Sequence, residues 1–122
     1  MADKLLIVLM NTDPTSPSEL GPPFMQACVA AAMEYEVEIL LTGRAGELAS
    51  LDVAKKLRFS AGSQKTVYDL IREAVEAGAK IKICASSMEL WGDELIPEIS
   101  ETVGAAYIIS EAMDDDTVTF TY

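Results

Sequence analysis

The 122-residue chain predicts an α/β protein, a parallel β-sheet covered by helices on both faces. Three observations carry that reading. KLLIVLM, Lys4 to Met10, is a continuous apolar run, the pattern of a strand buried on both sides. Further strand-like runs alternate along the chain with segments of helical period, the order that builds parallel crossovers. Half of the residues are hydrophobic and 24% are charged, a globular balance and not a disordered one. This length suits one domain, residues 1–122, around a single core.

After the first strand, NTDPTSPSELGPP breaks regular structure with Pro14, Pro17, Pro22, Pro23 and a cluster of hydroxyl residues. A helix starts within Ser18 to Pro23, because proline is tolerated in a first turn. Phe24 to Glu34, rich in Ala and Met, reads as a well-buried helix. EVEILLT, Glu36 to Thr42, is the second strand. Gly43 to Gly62 lacks a clear period: ELASLDVAKKL suits a short helix and RFSAGS a loop, so this stretch reads as a mobile or functional excursion.

The next helix has Ser63 as its N-cap, Gly78 as its stop, and Val67, Leu70, Ile71 and Val75 on one stripe. KIKICA, Lys80 to Ala85, alternates: Ile81 and Ile83 share one face, and Lys80, Lys82 and Cys84 the other. Gly92 to Val103 reads as another helix, capped by Asp93 or a neighbour, with Pro97 near its first turn. The end has two readings, since EAMDDD is too short for a parallel crossover. Either AAYIIS and TVTFTY form an antiparallel hairpin, or a short helix over Tyr107 to Met113 carries the chain to a last strand; the helix is the preferred expectation.

Composition removes several function classes. The net charge is −11, so nucleic acid, which needs a basic surface, is not an expected partner. The nine acids from Glu89 onward meet no Lys or Arg there, and seven of the nine basic residues lie between Lys55 and Lys82. No apolar run approaches the ~20 residues of a membrane span, and the first run is too short for a signal peptide. The expected location is therefore the cytoplasm, where Cys28 and Cys84 rest as thiols. The chain has no histidine, which removes Cys–His and Ser–His dyads and most zinc sites.

In a parallel sheet, ligands collect at the carboxyl ends of the strands. Three segments meet there: Asn11 to Pro23, Gly43 to Gly62, and Cys84 to Gly92. The first has neither a dinucleotide-binding nor a P-loop glycine pattern. Cys84 has two readings. It is a small core hydrophobe closing a strand, as free cysteines commonly are, or a thiol near exposed backbone N–H groups that favour its thiolate. Ser86 and Ser87 add hydroxyl donors, and Met88 and Trp91 an apolar cover or a packing anchor. Asn11 and Arg44 are the supporting candidates from the other two segments, and Lys55, Lys56 and Arg58 are further cations of the excursion. Cys28, between Met25, Val29 and Ala32 on the first helix, reads as core packing; a redox pair with Cys84 has no spacing to establish it.

The run GAKIKICASSMELWGDEL resembles the cysteine-bearing segment of the DsrE/DsrF-like proteins, relatives of the sulfur-relay subunits of the Dsr and Tus systems. Gly78, Cys84, Met88 and Gly92 carry the match. FMQACVAAAMEYEVEILLTG resembles the family's first helix and second strand, and the acidic turn before TVTFTY its last strand. The resemblance implies a three-layer α/β/α sandwich with a mostly parallel sheet of about five strands. It also implies a cytoplasmic homotrimer or homohexamer without metal or organic cofactor. Cys84 would accept sulfane sulfur as a persulfide and pass it on, its partners being sulfur donor and acceptor proteins or small sulfur species. The rival expectation is a non-catalytic oligomeric module with a ligand pocket at the same sheet edge. A thiol peroxidase ranks last, for want of a histidine or a recognised peroxidase motif.

Overall fold

The computed structural model describes residues 3–51, 53–58 and 64–122. Five strands form one sheet: β1 (Lys4–Leu9), β2 (Glu36–Leu41), β3 (Lys80–Cys84), β4 (Ile99–Val103) and β5 (Thr117–Thr121). Their order is β4-β3-β2-β1-β5, and every neighbouring pair is parallel. The expected class therefore holds, with a sheet parallel throughout. β1 lies between β2 and β5, which explains its unbroken apolar run: Leu6, Ile7 and Leu9 are fully buried because both faces of β1 are covered.

Helices α1 (Pro17–Ala32) and α3 (Val67–Ala77) pack against each other over one face of the sheet. Ile7, Leu9, Val37, Ile39, Leu41, Ile81 and Ile83 meet them in the main core. The second face is covered by α5 (Ala105–Ala112), whose Tyr107, Ile108 and Ala112 pack on Leu6, Val8, Leu40 and Val103. The connection through α5 runs from β4 at one edge of the sheet to β5 at the other. The final strand is thus reached through a helix, and the hairpin alternative is excluded because AAYIIS, Ala105 to Ser110, is helical.

Three expectations about the elements need correction. The helix expected over 92–103 is not there. α4 (Ala85–Trp91) comes earlier, starting directly after β3, and Gly92 ends it with φ +93°, a backbone setting that suits glycine. Ile99–Val103 is instead edge strand β4; its β-branched Ile99, Thr102 and Val103 favour a pleated, half-buried surface. Second, the N-cap of α3 is Thr66, whose hydroxyl accepts from the Asp69 N–H while the Asp69 carboxylate accepts from the Thr66 N–H, a reciprocal capping box. Ser63 lies outside the described residues. Third, α1 is longer than expected, with Pro17 at its start and Pro22 and Pro23 inside it, and it is only half buried. Leu20, Phe24 and Ala27 face the core, whereas Met25, Val29 and Met33 form an exposed i, i+4, i+8 ridge.

The excursion contains a 3-10 helix (Gly43–Ala49) and a single turn, α2 (Val53–Lys56). Ala45, Leu48, Ala49 and Ala54 are fully buried in the main core, so these pieces are part of the packing. Residue 52 and residues 59–63 of this stretch lie outside the described residues. No helix among the described residues is long and apolar enough to cross a membrane.

Candidate functional site

Cys84 closes β3 and stands at the N-terminus of α4, so the alternation of KIKIC decides its surroundings. Ile81 and Ile83 turn into the main core under α1 and α3. Lys82 faces the other way, toward α5, and Cys84 shares that face through the period of two. In the β2–β3 register Leu41 pairs with Ile83, which brings Thr42 level with Cys84; on the other side Val103 pairs with Cys84.

Cys84 combines burial with polar surroundings. It is buried, 5% exposed, and it is surrounded by polar donors. Its Sγ lies 3.3 Å from Ser86 Oγ. Burial alone would push the thiol up. It is the largest single influence, but the Ser86 hydroxyl, the Ser86 backbone amide and the Thr42 hydroxyl together outweigh it, and the thiol sits below its ordinary value. Cys28 shows the contrary case: it packs against the main core, and burial together with nearby Glu73 pushes its thiol up, against the pull of Lys65. The two sulfurs are on opposite faces of the sheet, so they form no redox pair.

The other candidates divide. Ser86 reaches the sulfur. Ser87 does not: it is fully buried, its hydroxyl has no partner, and it lies against Gly46 of the 3-10 helix. A Cβ at Gly46 would come within 2.5 Å of Ser87 Cβ, so only glycine lets α4 approach this closely. Met88 packs against the main core, and its Sδ accepts from the Thr102 hydroxyl at 3.6 Å. Trp91 is a packing anchor, its Nε1–H donating to the Gly43 carbonyl at 3.0 Å. Arg44 pairs with Asp13 at 3.5 Å. Lys55 lies over the Tyr68 ring, 5.1 Å from its centre.

Asn11 follows β1, two strand spacings of about 4.8 Å each from β3, and belongs to a separate hollow. That hollow, about 340 Å³, is lined by Asn11, Thr12, Glu19, Pro22 and Tyr122. It opens at the carboxyl ends of β1 and β5, where the strand order reverses, the usual ligand position in such sheets.

A charged cluster absent from the sequence reading lies beneath α5, on the face of Cys84. Lys82 Nζ donates to Glu38 Oε1 at 2.8 Å and to the Tyr107 hydroxyl at 2.7 Å, and pairs with Glu101 at 3.1 Å. Tyr107 donates to Glu38 Oε1 at 2.8 Å, and Lys4 bridges Glu38 and Glu111. Burial alone would lower the Lys82 ammonium and raise the Glu38 carboxyl. Their mutual hydrogen bonds win, so Lys82 is held above its ordinary value and Glu38 below. The one available signal was charge at alternate positions of otherwise apolar strands, Lys4, Glu38 and Lys82. Thr42 was findable by aligning the ends of the second and third strands.

No family model matches the chain, and no curated protein matches it. Among solved structures, a conserved protein of unknown function, BT1422 from Bacteroides thetaiotaomicron, is similar, with a TM-score of 0.69 and 17% sequence identity. The match covers 98% of this chain and 95% of that one. At this identity the likeness concerns the fold.

Proposed function

We propose that the chain is a DsrE/DsrF-like sulfur carrier of the cytoplasm, acting as a homo-oligomer and passing sulfane sulfur through a persulfide on Cys84. The observation that carries this reading is the thiol itself, at a strand's carboxyl end, hydrogen-bonded to Ser86 and held below its ordinary value. The motif around Gly78, Cys84, Met88 and Gly92 supports it, as does the parallel α/β fold.

The chemistry needs no cofactor. The Cys84 thiolate attacks the outer sulfur of a donor R–S–SH, the donor S–S bond breaks, and R–S⁻ leaves with its electron pair. Cys84–S–SH remains. An acceptor thiolate then attacks the outer sulfur, takes it as R′–S–SH, and restores the Cys84 thiolate. Ser86 and Thr42 stabilise the anion before the first step and after the second. Because Cys84 is 5% exposed, transfer requires its cover to yield to the incoming group.

Mass spectrometry after treatment with thiosulfate, polysulfide or a small persulfide tests the reading. A gain of one sulfur atom on the wild type, absent from Cys84→Ser, is expected. No adduct with any donor would end the proposal. The hollow at Asn11, Thr12, Glu19, Pro22 and Tyr122 favours the second reading, a non-catalytic oligomeric module that binds a ligand at the sheet edge.

A further inference from the structure

An open apolar groove lies at the other edge of the sheet from β4, away from Cys84. α1 and edge strand β5 border a groove of about 470 Å³, lined chiefly by Met25, Val29, Met33, Tyr35, Val118 and Phe120. The register explains the strand's share: Val118 and Phe120 pair with Leu5 and Ile7, so they face the α1 side of the sheet, beyond the reach of α1 itself. Their exposures run from 40% at Phe120 to 63% at Met25. A soluble chain gains nothing by holding Met, Val, Tyr and Phe together in water.

We infer that this face is where a second copy of the chain docks, about a two-fold axis through the α1/β5 patch. The first argument is area. Six side chains this exposed leave on the order of 600 Å² of apolar surface open, which is most of the ~800 Å² per partner that a standard interface buries. The second is shape. The patch contains a ridge, Met25–Val29–Met33, directly beside a groove. Under a two-fold operation each ridge enters the other copy's groove, the self-complementary contact that a symmetric dimer needs.

The third argument is charge. Each chain carries −11, so two copies repel at long range. The groove lining contains no Asp or Glu; its polar members are Lys4 and Gln26. Asp3, Glu36, Asp114 and Asp116 gather instead at one end of the sheet, around a neighbouring hollow. An antiparallel two-fold arrangement sets those acidic ends apart and brings together grooves whose linings carry no carboxylate. Such an interface is apolar contact working against net repulsion, so it tightens as salt screens the repulsion.

Light scattering on the full chain across a dilution series tests this. The wild type is expected to contain an even number of chains, with a mass of twice 13.2 kDa or a multiple of that. Val29→Glu on the exposed face of α1 and Met33→Lys at its C-cap should each raise the dissociation constant by at least about tenfold while leaving the far-ultraviolet circular dichroism unchanged. Where one variant unfolds, the other decides. Adding sodium chloride should strengthen the assembly. Cys84→Ser should assemble like the wild type, so failure of the sulfur chemistry and failure of the interface read out separately.

A single-chain wild type, an odd-numbered assembly, or folded variants that keep the wild-type mass would overturn the inference. An assembly that weakens with salt would do so too, since that marks an ion-paired contact. A single-chain protein whose melting temperature rises with oleate would assign the groove to a small apolar ligand instead.

Discussion

Lys82 Nζ lies 2.8 Å from Glu38 Oε1, joining β3 to β2 on the face that α5 covers. Neither residue has much access to water; Glu38 is held charged by Lys82, Tyr107 and Lys4, and Lys82 by Glu38, Tyr107 and Glu101. α5 has no fully buried residue, so this cluster does much of what an apolar contact would otherwise do to hold it down.

Removing one partner should therefore be far worse than removing both. Glu38→Ala is expected to destabilise by about 3 kcal/mol, because it removes the buried carboxylate that two poorly solvated lysines share and leaves them only the more exposed Glu111 and Glu101. The paired change Glu38→Leu with Lys82→Met should cost much less. Urea denaturation of the three proteins checks the difference.

The same cluster sets a pH dependence at both ends. Glu38 is depressed from its ordinary 4.5, so its contribution is complete above that pH and disappears as acid protonates the folded carboxylate. Lys82 is raised from 10.5, so its contribution is complete below that pH and is lost only as alkali deprotonates the folded ammonium. Melting temperature should fall below about pH 4 and in strong alkali. The double substitution should show a shallower fall at both ends.

At Cys84 the decisive group is Ser86. Without its hydroxyl, burial is opposed only by the Ser86 amide and Thr42, and the thiol titrates higher. Ser86→Ala is expected to shift the midpoint of the iodoacetamide pH–rate profile upward and to slow alkylation at neutral pH several-fold. Far-ultraviolet circular dichroism should be unchanged. An unshifted profile would remove Ser86 from the site.

Packing of α4 on the 3-10 helix gives an independent prediction. Gly46→Ala drives a Cβ into Ser87 and should destabilise by roughly 1–3 kcal/mol. Ser87→Ala removes a fully buried hydroxyl that has no partner, and should leave stability unchanged or raise it by about 1 kcal/mol. Thermal melts should show a lowered midpoint for Gly46→Ala and no lowering for Ser87→Ala.

Glu34 follows α1 with φ +71°, a left-handed setting that costs a side-chain-bearing residue roughly 1–2 kcal/mol. Part of that returns as lost chain entropy when glycine replaces it. Glu34→Gly should raise stability by up to about 1 kcal/mol, read as a higher melting temperature.

What the amino-acid order determined on its own was local. β1 announced itself by an apolar run, β3 by its alternation, and α3 by a stripe ending at Gly78. These patterns follow from the periods of strand and helix, which a single segment carries within itself. Cys84 at a strand end was legible for the same reason. Strand β4 was not, because an edge strand such as ISETV buries only its ends, Ile99 and Val103, too little to print a period, and the weak helical pattern across 92–103 competed with it.

Only the tertiary structure decided what lies beside what. The order β4-β3-β2-β1-β5 put Asn11 two strands away from Cys84 and brought Thr42 level with it. It sank Lys4, Glu38 and Lys82 into one cluster under α5, and left Met25, Val29 and Met33 bare although they read as core. Such outcomes depend on register and on which face each neighbour covers. They are settled by contacts between residues far apart in the chain, and hydrophobic burial, having no direction of its own, does not record in one segment which partner will cover it.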